Sequence, residues 1–348
     1  MTAQQARTWA TGIGLPAFRG EQLVQGAYRP GVARFADIKG LPRELAQRLD
    51  ADGPLLPATE ARRQESADGT VKSLLRLHDG KQVECVSIPT AERHTVCVSS
   101  QVGCAVGCSF CASGLNGVER DLTAGEIVYQ VLHHHLRRPV TNLVFMGSGE
   151  PFFNYDNVIQ AIRVLGDPAG LGMGRRRMVV STSGVPARIR QFAIDEPQIT
   201  LALSLHAADD ETRSRLVPLN RRWPLEEVLA AMGDYAGTVG RRPTLEYVLL
   251  ADANMTPAHA ESLAREARGL GAHINLIPFN PVFETGHRRP TPEEVHGFGE
   301  LVAYHGGYAT VRGQRGSDID AACGQLKRRA EEAVVAPGDP ALPGQAGA

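Results

Sequence analysis

His94-Thr-Val-Cys-Val-Ser-Ser-Gln-Val-Gly-Cys104-Ala-Val-Gly-Cys108-Ser-Phe-Cys111 places three thiols within eight residues, directly after a run that reads as a β-strand. A loop this tight presents Cys104, Cys108 and Cys111 to one face of a cubane iron–sulfur cluster and leaves the fourth iron without a protein ligand. An open iron invites a substrate-like ligand. The competing reading is a structural zinc site, with Cys97 or a distant histidine completing the set.

Outward from this loop, the chain alternates short β-branched runs with helical stretches, as repeated βα units with parallel strands do. Strands are predicted at His94–Val98, Asn142–Met146, Met178–Ser181, Thr200–Leu205, Leu245–Leu250, His273–Pro278 and Ala309–Arg312. Several are nearly all apolar, which predicts burial on both faces. Thr123 with Glu126, and Thr291 with Pro292 and Glu294, read as capped helix starts. The expected architecture is α/β, a partial (βα)6 barrel over 91–330. Residues 1–90 read as a small accessory domain, with amphipathic pieces at Gly20–Ala27 and Leu41–Leu49 and a hairpin across Ser73–Leu77 and Gln82–Ile88. The Ala/Gly/Pro-rich end, 331–348, reads as a disordered tail.

Composition bounds the function. The chain has 348 residues, 43% hydrophobic and 22% charged, enough for a single large domain with a smaller module attached. It contains no apolar run long enough to span a bilayer, and its start lacks a secretory pattern, so a cytoplasmic protein without membrane contact is expected. In a reducing compartment, clustered thiols point to metal or redox chemistry before structural disulfides. A net charge of −1 gives no global signature of nucleic-acid binding, although residues 1–50 hold seven Lys/Arg against four Asp/Glu. Basic groups at Arg175–Arg177, Arg241–Arg242 and Arg288–Arg289 read as solvated faces. The His133–His135 triplet lies within one helix and points in three directions, which predicts packing and surface roles instead of metal binding.

Polar residues recur at predicted strand ends, where a barrel builds its site. They are Gly147-Ser-Gly149-Glu150-Pro151, Ser181-Thr-Ser183, Ser204-Leu205-His206 and Asn280. The glycine turn alone is weak, because it lacks the third glycine of a dinucleotide fingerprint. Together these segments describe a ring of hydroxyl, imidazole and amide groups.

The CxxxCxxC run with Phe110 before the third cysteine resembles the radical S-adenosylmethionine (SAM) superfamily. That resemblance implies one 4Fe-4S cluster per subunit on Cys104, Cys108 and Cys111, with SAM on its open iron. It further implies SAM contacts from Gly149, Glu150, Ser181, Ser204, Leu205, His206 and Asn280. Cys97-Val-Ser-Ser-Gln-Val-Gly-Cys104 and Gly316-Ser-Asp-Ile-Asp-Ala-Ala-Cys323-Gly-Gln-Leu326 narrow the match to the RlmN and Cfr family of RNA adenine methyltransferases, from about Gly20 to Leu326. Ser148, where the family more often has Met, and Ser183-Gly-Val185 depart from its pattern and raise the alternative of a divergent paralogue.

The chemistry of the implied substrate explains two more thiols. Carbons 2 and 8 of adenine are too weakly nucleophilic for polar methyl transfer, so a radical route is needed. By resemblance, Cys323 takes a methyl group from one SAM, and a radical from a second SAM activates it for addition to the base. Cys97 then resolves the covalent adduct through a transient disulfide. Glu84 stands where the family has an acidic residue beside the target adenine, to orient it or accept a proton, although a solvent-facing hairpin residue is equally compatible. Cys85 reads as a small buried apolar residue. The implied substrate is 23S ribosomal RNA and also transfer RNA, methylated at C2, with a flavodoxin or ferredoxin as electron donor. A Cfr-like C8 methyltransferase shares every residue named. A zinc-dependent RNA-binding protein is the alternative of another class.

Overall fold

A computed structural model describes residues 1–326, and the tail expected at 331–348 lies outside them. Three helices open the chain: α1 (Ala3–Gly12), α2 (Ala17–Ala27) and α3 (Arg43–Asp52). Three antiparallel strands follow, β1 (Ala58–Glu65), β2 (Val71–Leu77) and β3 (Gln82–Pro89), then β4 (His94–Val98). A ribbon of β5 (Gln101–Gly103) and β6 (Val118–Asp121) closes the base of the cysteine loop.

The βα repeat then runs through α4 (Ala124–His135), β7 (Asn142–Phe145), α5 (Tyr155–Leu165), β8 (Met178–Thr182), α6 (Pro186–Asp195) and β9 (Thr200–Ser204). It continues through α7 (Asp210–Leu216), α8 (Leu225–Val239), β10 (Thr244–Leu249), α9 (Pro257–Leu270), β11 (His273–Pro278), α10 (Pro292–Tyr304) and β12 (Ala309–Val311). One sheet holds ten strands in the order β1-β2-β3-β4-β7-β8-β9-β10-β11-β12, parallel from β4 onward and not closed on itself. Six βα units precede β12, so the partial (βα)6 barrel stands, and the hairpin extends the same sheet through the β3–β4 pairing. Among the described residues, no helix is long and apolar enough to cross a membrane.

Side-chain alternation decides what each face of this sheet does. On the helix-covered face, Val96, Val98, Leu143, Phe145, Met178, Val180, Leu201, Leu203, Leu245 and Tyr247 are all at most 1% exposed. Each such side chain stabilises the fold by about 1.5–3 kcal/mol. The concave face is different. Register places Arg62 and Gln64 beside Leu74 and Lys72, Leu74 beside Glu84, Val86 beside Cys97, and Cys97 beside Val144. Across the parallel strands the same face carries Ser181, then Ser204 beside Glu246, and Glu246 beside Asn275. Expected burial on both faces therefore needs a correction: the inner face is only partly buried and mixes polar with apolar side chains.

Both predicted capping boxes form, Thr123 with Glu126 and Thr291 with Glu294. The histidine triplet packs in three directions: His133 against Glu60 (2.9 Å), His134 against Cys85 (3.4 Å), and His135 Nδ1 accepting from Val140 N–H (3.2 Å). Cys85 is wholly buried on the helix-covered face. Burial raises the carboxyl of Glu60, but hydrogen bonds from His133 and Ser73 and the charge of Arg137 outweigh it and bring the pKa to about 2. Because that value is depressed, the stabilisation is full above the ordinary value of 4.5 and is lost as pH falls towards 2. Glu60→Gln is expected to cost about 1–2 kcal/mol at neutral pH, allowing for solvent screening. Urea midpoints at pH 7 and pH 3 should differ less in the variant than in the wild type.

Candidate active site

The carboxyl ends of the parallel strands and the loops above them enclose one continuous site. One cavity is lined by Cys104, Cys108 and Cys111 together with Gly147, Gly149 and Glu150. Ser181, Ser183, Ser204, His206 and Cys323 line it too. The cysteine loop is held by its ribbon: Cys104 N–H donates to Gly117 O (3.0 Å). Gly103, at φ +82°, lies so close that a Cβ would come within 2.0 Å of the same carbonyl. Only glycine fits there.

The turn after β7 is wedged against the segment after β4. A Cβ on Gly149 would meet Gln101 at 2.6 Å and Ser100 at 2.7 Å, at φ +104°. Glu150 is buried beneath it and takes hydrogen bonds from Thr182 Oγ1 (2.7 Å), Phe152 N–H (3.0 Å) and Ser183 N–H (2.7 Å). Burial pushes its carboxyl up and these donors pull against that. Glu150 thus ties the end of β7 to the end of β8. At Ser148, the departure from the family pattern, the hydroxyl meets Ser113 of the cysteine loop at 3.2 Å.

Ser181 and Ser204 share a hydrogen bond of 3.0 Å across adjacent strands. His206 has a left-handed backbone, φ 59°, a strained conformation fixed by surrounding contacts. Val248 N–H donates to its Nδ1 (3.1 Å), which leaves the proton on Nε2. Burial and the nearby Arg213 push its pKa down to about 3, so the ring is neutral and a hydrogen-bond donor. Leu205 does not line the cavity; its side chain is fully buried in the core.

Cys323 also lines a second cavity, with Cys97, Met146, Asn280 and Arg312. The C-terminal segment is fastened there by Asn280 Nδ2 to Cys323 O (3.3 Å), Ala112 N–H to Gly324 O (2.8 Å) and Gln325 Nε2 to Pro281 O (3.1 Å). Both thiols are free. Burial, then the nearness of Cys323, pushes Cys97 up to about 12, while Arg312 acts in the opposite sense. Glu84 occupies a third cavity of about 320 Å³, with Arg62, Lys72, Leu74, Asp320 and Gln325. It is buried, which removes the solvent-facing reading.

Four residues that sequence reasoning passed over shape the site: Lys72, Arg213, Glu246 and Arg312. Arg213 is 0% exposed and donates to Ser183 O (2.6 Å), Asn220 Oδ1 (2.7 Å) and Leu205 O (3.1 Å). It locks the ends of β8 and β9 under the cavity. Arg213→Met is expected to cost about 3–5 kcal/mol, because the carbonyls it serves stay buried without a donor. Chemical denaturation of the purified variant checks this. Its signal in the sequence was faint, one arginine among polar residues after Asp209.

The radical SAM superfamily model matches residues 98–254. A curated relative from Desulfitobacterium hafniense (strain DSM 10664 / DCB-2), named "Probable dual-specificity RNA methyltransferase RlmN", is 46% identical over 331 residues, covering 92% of each chain. The chain belongs to the RlmN family. A second RlmN relative, from Symbiobacterium thermophilum, is 45% identical over 95% of this chain and 91% of its own length. Among solved structures, a radical SAM methyltransferase from Sphaerobacter thermophilus superposes with a TM-score of 0.90 at 44% identity, covering 94% of this chain and 97% of that one. The RlmN match therefore spans both the core and the N-terminal elements.

Proposed function

We propose that this RlmN-family chain methylates carbon 2 of adenine in 23S ribosomal RNA and in transfer RNA, with Cys323 carrying the methyl group. The observation that carries the reading is the place of Cys323. It stands on the wall shared by the three-thiol cavity and the cavity of Cys97. A thiol there can collect a methyl group on one side and be released by a second thiol on the other.

The donor set fits a 4Fe-4S cluster on Cys104, Cys108 and Cys111. A cubane takes one thiol per iron, whereas zinc needs its ligands gathered on one ion. When bound, the cluster supplies the electron that cleaves SAM and generates the radical that activates the S-methyl group. An external one-electron donor of the flavodoxin or ferredoxin type must recharge it. The Gly149 turn, Ser181, Ser204 and neutral His206 offer SAM backbone carbonyls, hydroxyls and one N–H donor. Asn280 and Leu205 act behind this layer, Asn280 by holding the Cys323 backbone and Leu205 by offering its carbonyl to Arg213.

Cys323 receives the methyl carbon and delivers it to the base. Glu84 orients the base or takes the ring proton. Cys97, as its thiolate, then attacks the Cys323 sulfur; the bond between that sulfur and the product carbon breaks, its electron pair stays on the carbon, which takes up a proton to become the methyl group, and a Cys97–Cys323 disulfide remains. We assign RNA docking to residues 1–90, which bring Arg62 and Lys72 to the cavity of Glu84. The target base must leave its stack to reach it.

The test is anaerobic reconstitution with iron and sulfide, then mass spectrometry of adenosines from ribosomal and transfer RNA treated with enzyme, SAM and reductant. 2-Methyladenosine is expected. 8-Methyladenosine would select the Cfr-type reaction, and neither product from a cluster-loaded enzyme would sink the proposal.

A further inference from the structure

Lys72 is a buried cation for which the reaction outlined above has no use. It is 7% exposed, and its Nζ lies 3.4 Å from Glu84 Oε1. The same Nζ donates to Asp320 O (3.1 Å), three residues before Cys323. Asp320 has a left-handed backbone, φ 52°, that a residue with a Cβ adopts only when its surroundings hold it.

The placement follows from the sheet. Leu74 pairs with Glu84 and Lys72 with Val86, so Lys72 is the diagonal neighbour of Glu84 on the concave face. Both line the 320 Å³ cavity. A lysine there pays for burial only by meeting an anion and an acceptor, and it meets one of each.

We propose that Lys72 is a positioning residue for RNA methylation: its ammonium keeps Glu84 ionised and aimed into the base cavity, and ties that carboxylate to the backbone that presents Cys323. This rests on the reading of Glu84 as the acidic group beside the target base. The other charged groups facing Glu84 across its two cavities are Arg62 from β1, Glu119 from β6, Glu284, and Asp320 from the Cys323 loop. Three of these four are acidic. Lys72 is the ammonium placed to oppose them at close range.

Removing it takes away the ammonium 3.4 Å from a buried carboxylate that shares its cavities with Glu119, Glu284 and Asp320, and such a group protonates at higher pH. The test uses reconstituted enzyme with ribosomal RNA. In Lys72→Met, S-methylation of Cys323, read by protein mass spectrometry, is expected to match wild type. The acidic limb of RNA methylation should move up by about 1–3 units, because one adjacent charge is lost, so the deficit is largest near pH 6, is at most about fourfold at pH 7 and closes by pH 9. Lys72→Arg should retain activity at pH 7.

An unchanged rate in Lys72→Met, or a loss equal at every pH, would overturn the inference, the second result marking a merely structural role. Glu84→Gln separates the two claims. If Glu84→Gln is fully active, the reading of Glu84 fails and Lys72 with it. If Glu84→Gln is slow and Lys72→Met shows no pH-dependent loss, only the inference about Lys72 fails.

Discussion

Cys323→Ala is expected to abolish RNA methylation while leaving the iron–sulfur chromophore of the reconstituted enzyme intact. The geometry makes this substitution unusually clean. Hydrogen bonds that hold the segment around position 323 are made by other atoms than its sulfur: Asn280 holds the Cys323 carbonyl, Ala112 N–H meets Gly324 O, and Gln325 reaches Pro281. An alanine keeps all of these and removes only the sulfur. On the proposed reading, cluster loading depends on Cys104, Cys108 and Cys111, which the substitution leaves in place. Loss of turnover would therefore report the thiol itself and not a collapsed loop. Iron content and visible absorbance should match wild type, protein mass should show no added methyl group, and methyladenosine should be below detection. Methyladenosine at the wild-type rate would mean that the methyl group never passes through Cys323.

Much of this site was legible before any coordinates, and the parts that were not share one cause. All seven parallel strands fall within about one residue of their expected bounds, because each is an apolar run between turn residues. The cysteine loop is a local motif readable as a metal or cluster site from its spacing, whereas the glycine turn is weak alone and reads only together with the other strand-end segments. β1 was missed because its sequence, ATEARRQE, is polar on nearly every residue. It is an edge strand whose one inward row, including Arg62 and Gln64, faces a polar cavity instead of a core. Lys72, Glu246 and Arg312 were missed for a related reason. Each looks like a surface residue in its own strand, and only the register across ten strands turns them to one concave face. Glu84 shows the same ambiguity resolved: as a hairpin residue it had two possible faces, and pairing with Leu74 selects the inner one.

Cys97→Ala should stall the enzyme one step later, with RNA covalently attached to protein. Cys97 sits on β4 beside Val86 and Val144, and it shares its cavity with Cys323. Its thiol is a poor nucleophile at rest, because burial and then the neighbouring Cys323 push its pKa up to about 12. Exchange at sulfur requires the thiolate. On the proposed reading, alkylation of Cys323 removes one of the two influences that hold the Cys97 thiol up, while burial, the larger of them, remains and Arg312 acts against it. Without Cys97, no second thiol among the described residues lines that cavity with Cys323: its other polar side chains are Thr90, Thr95, Asn280, Arg312, Gln314 and Arg315, and Met146 is a thioether. The expected result is a protein–RNA species that survives denaturing, reducing electrophoresis, approaches one RNA per cluster-loaded protein, and is absent from the Cys97→Ala, Cys323→Ala double variant. Free methyladenosine released by Cys97→Ala at the wild-type rate would show that resolution uses another group, and the shared cavity would then be a matter of packing alone.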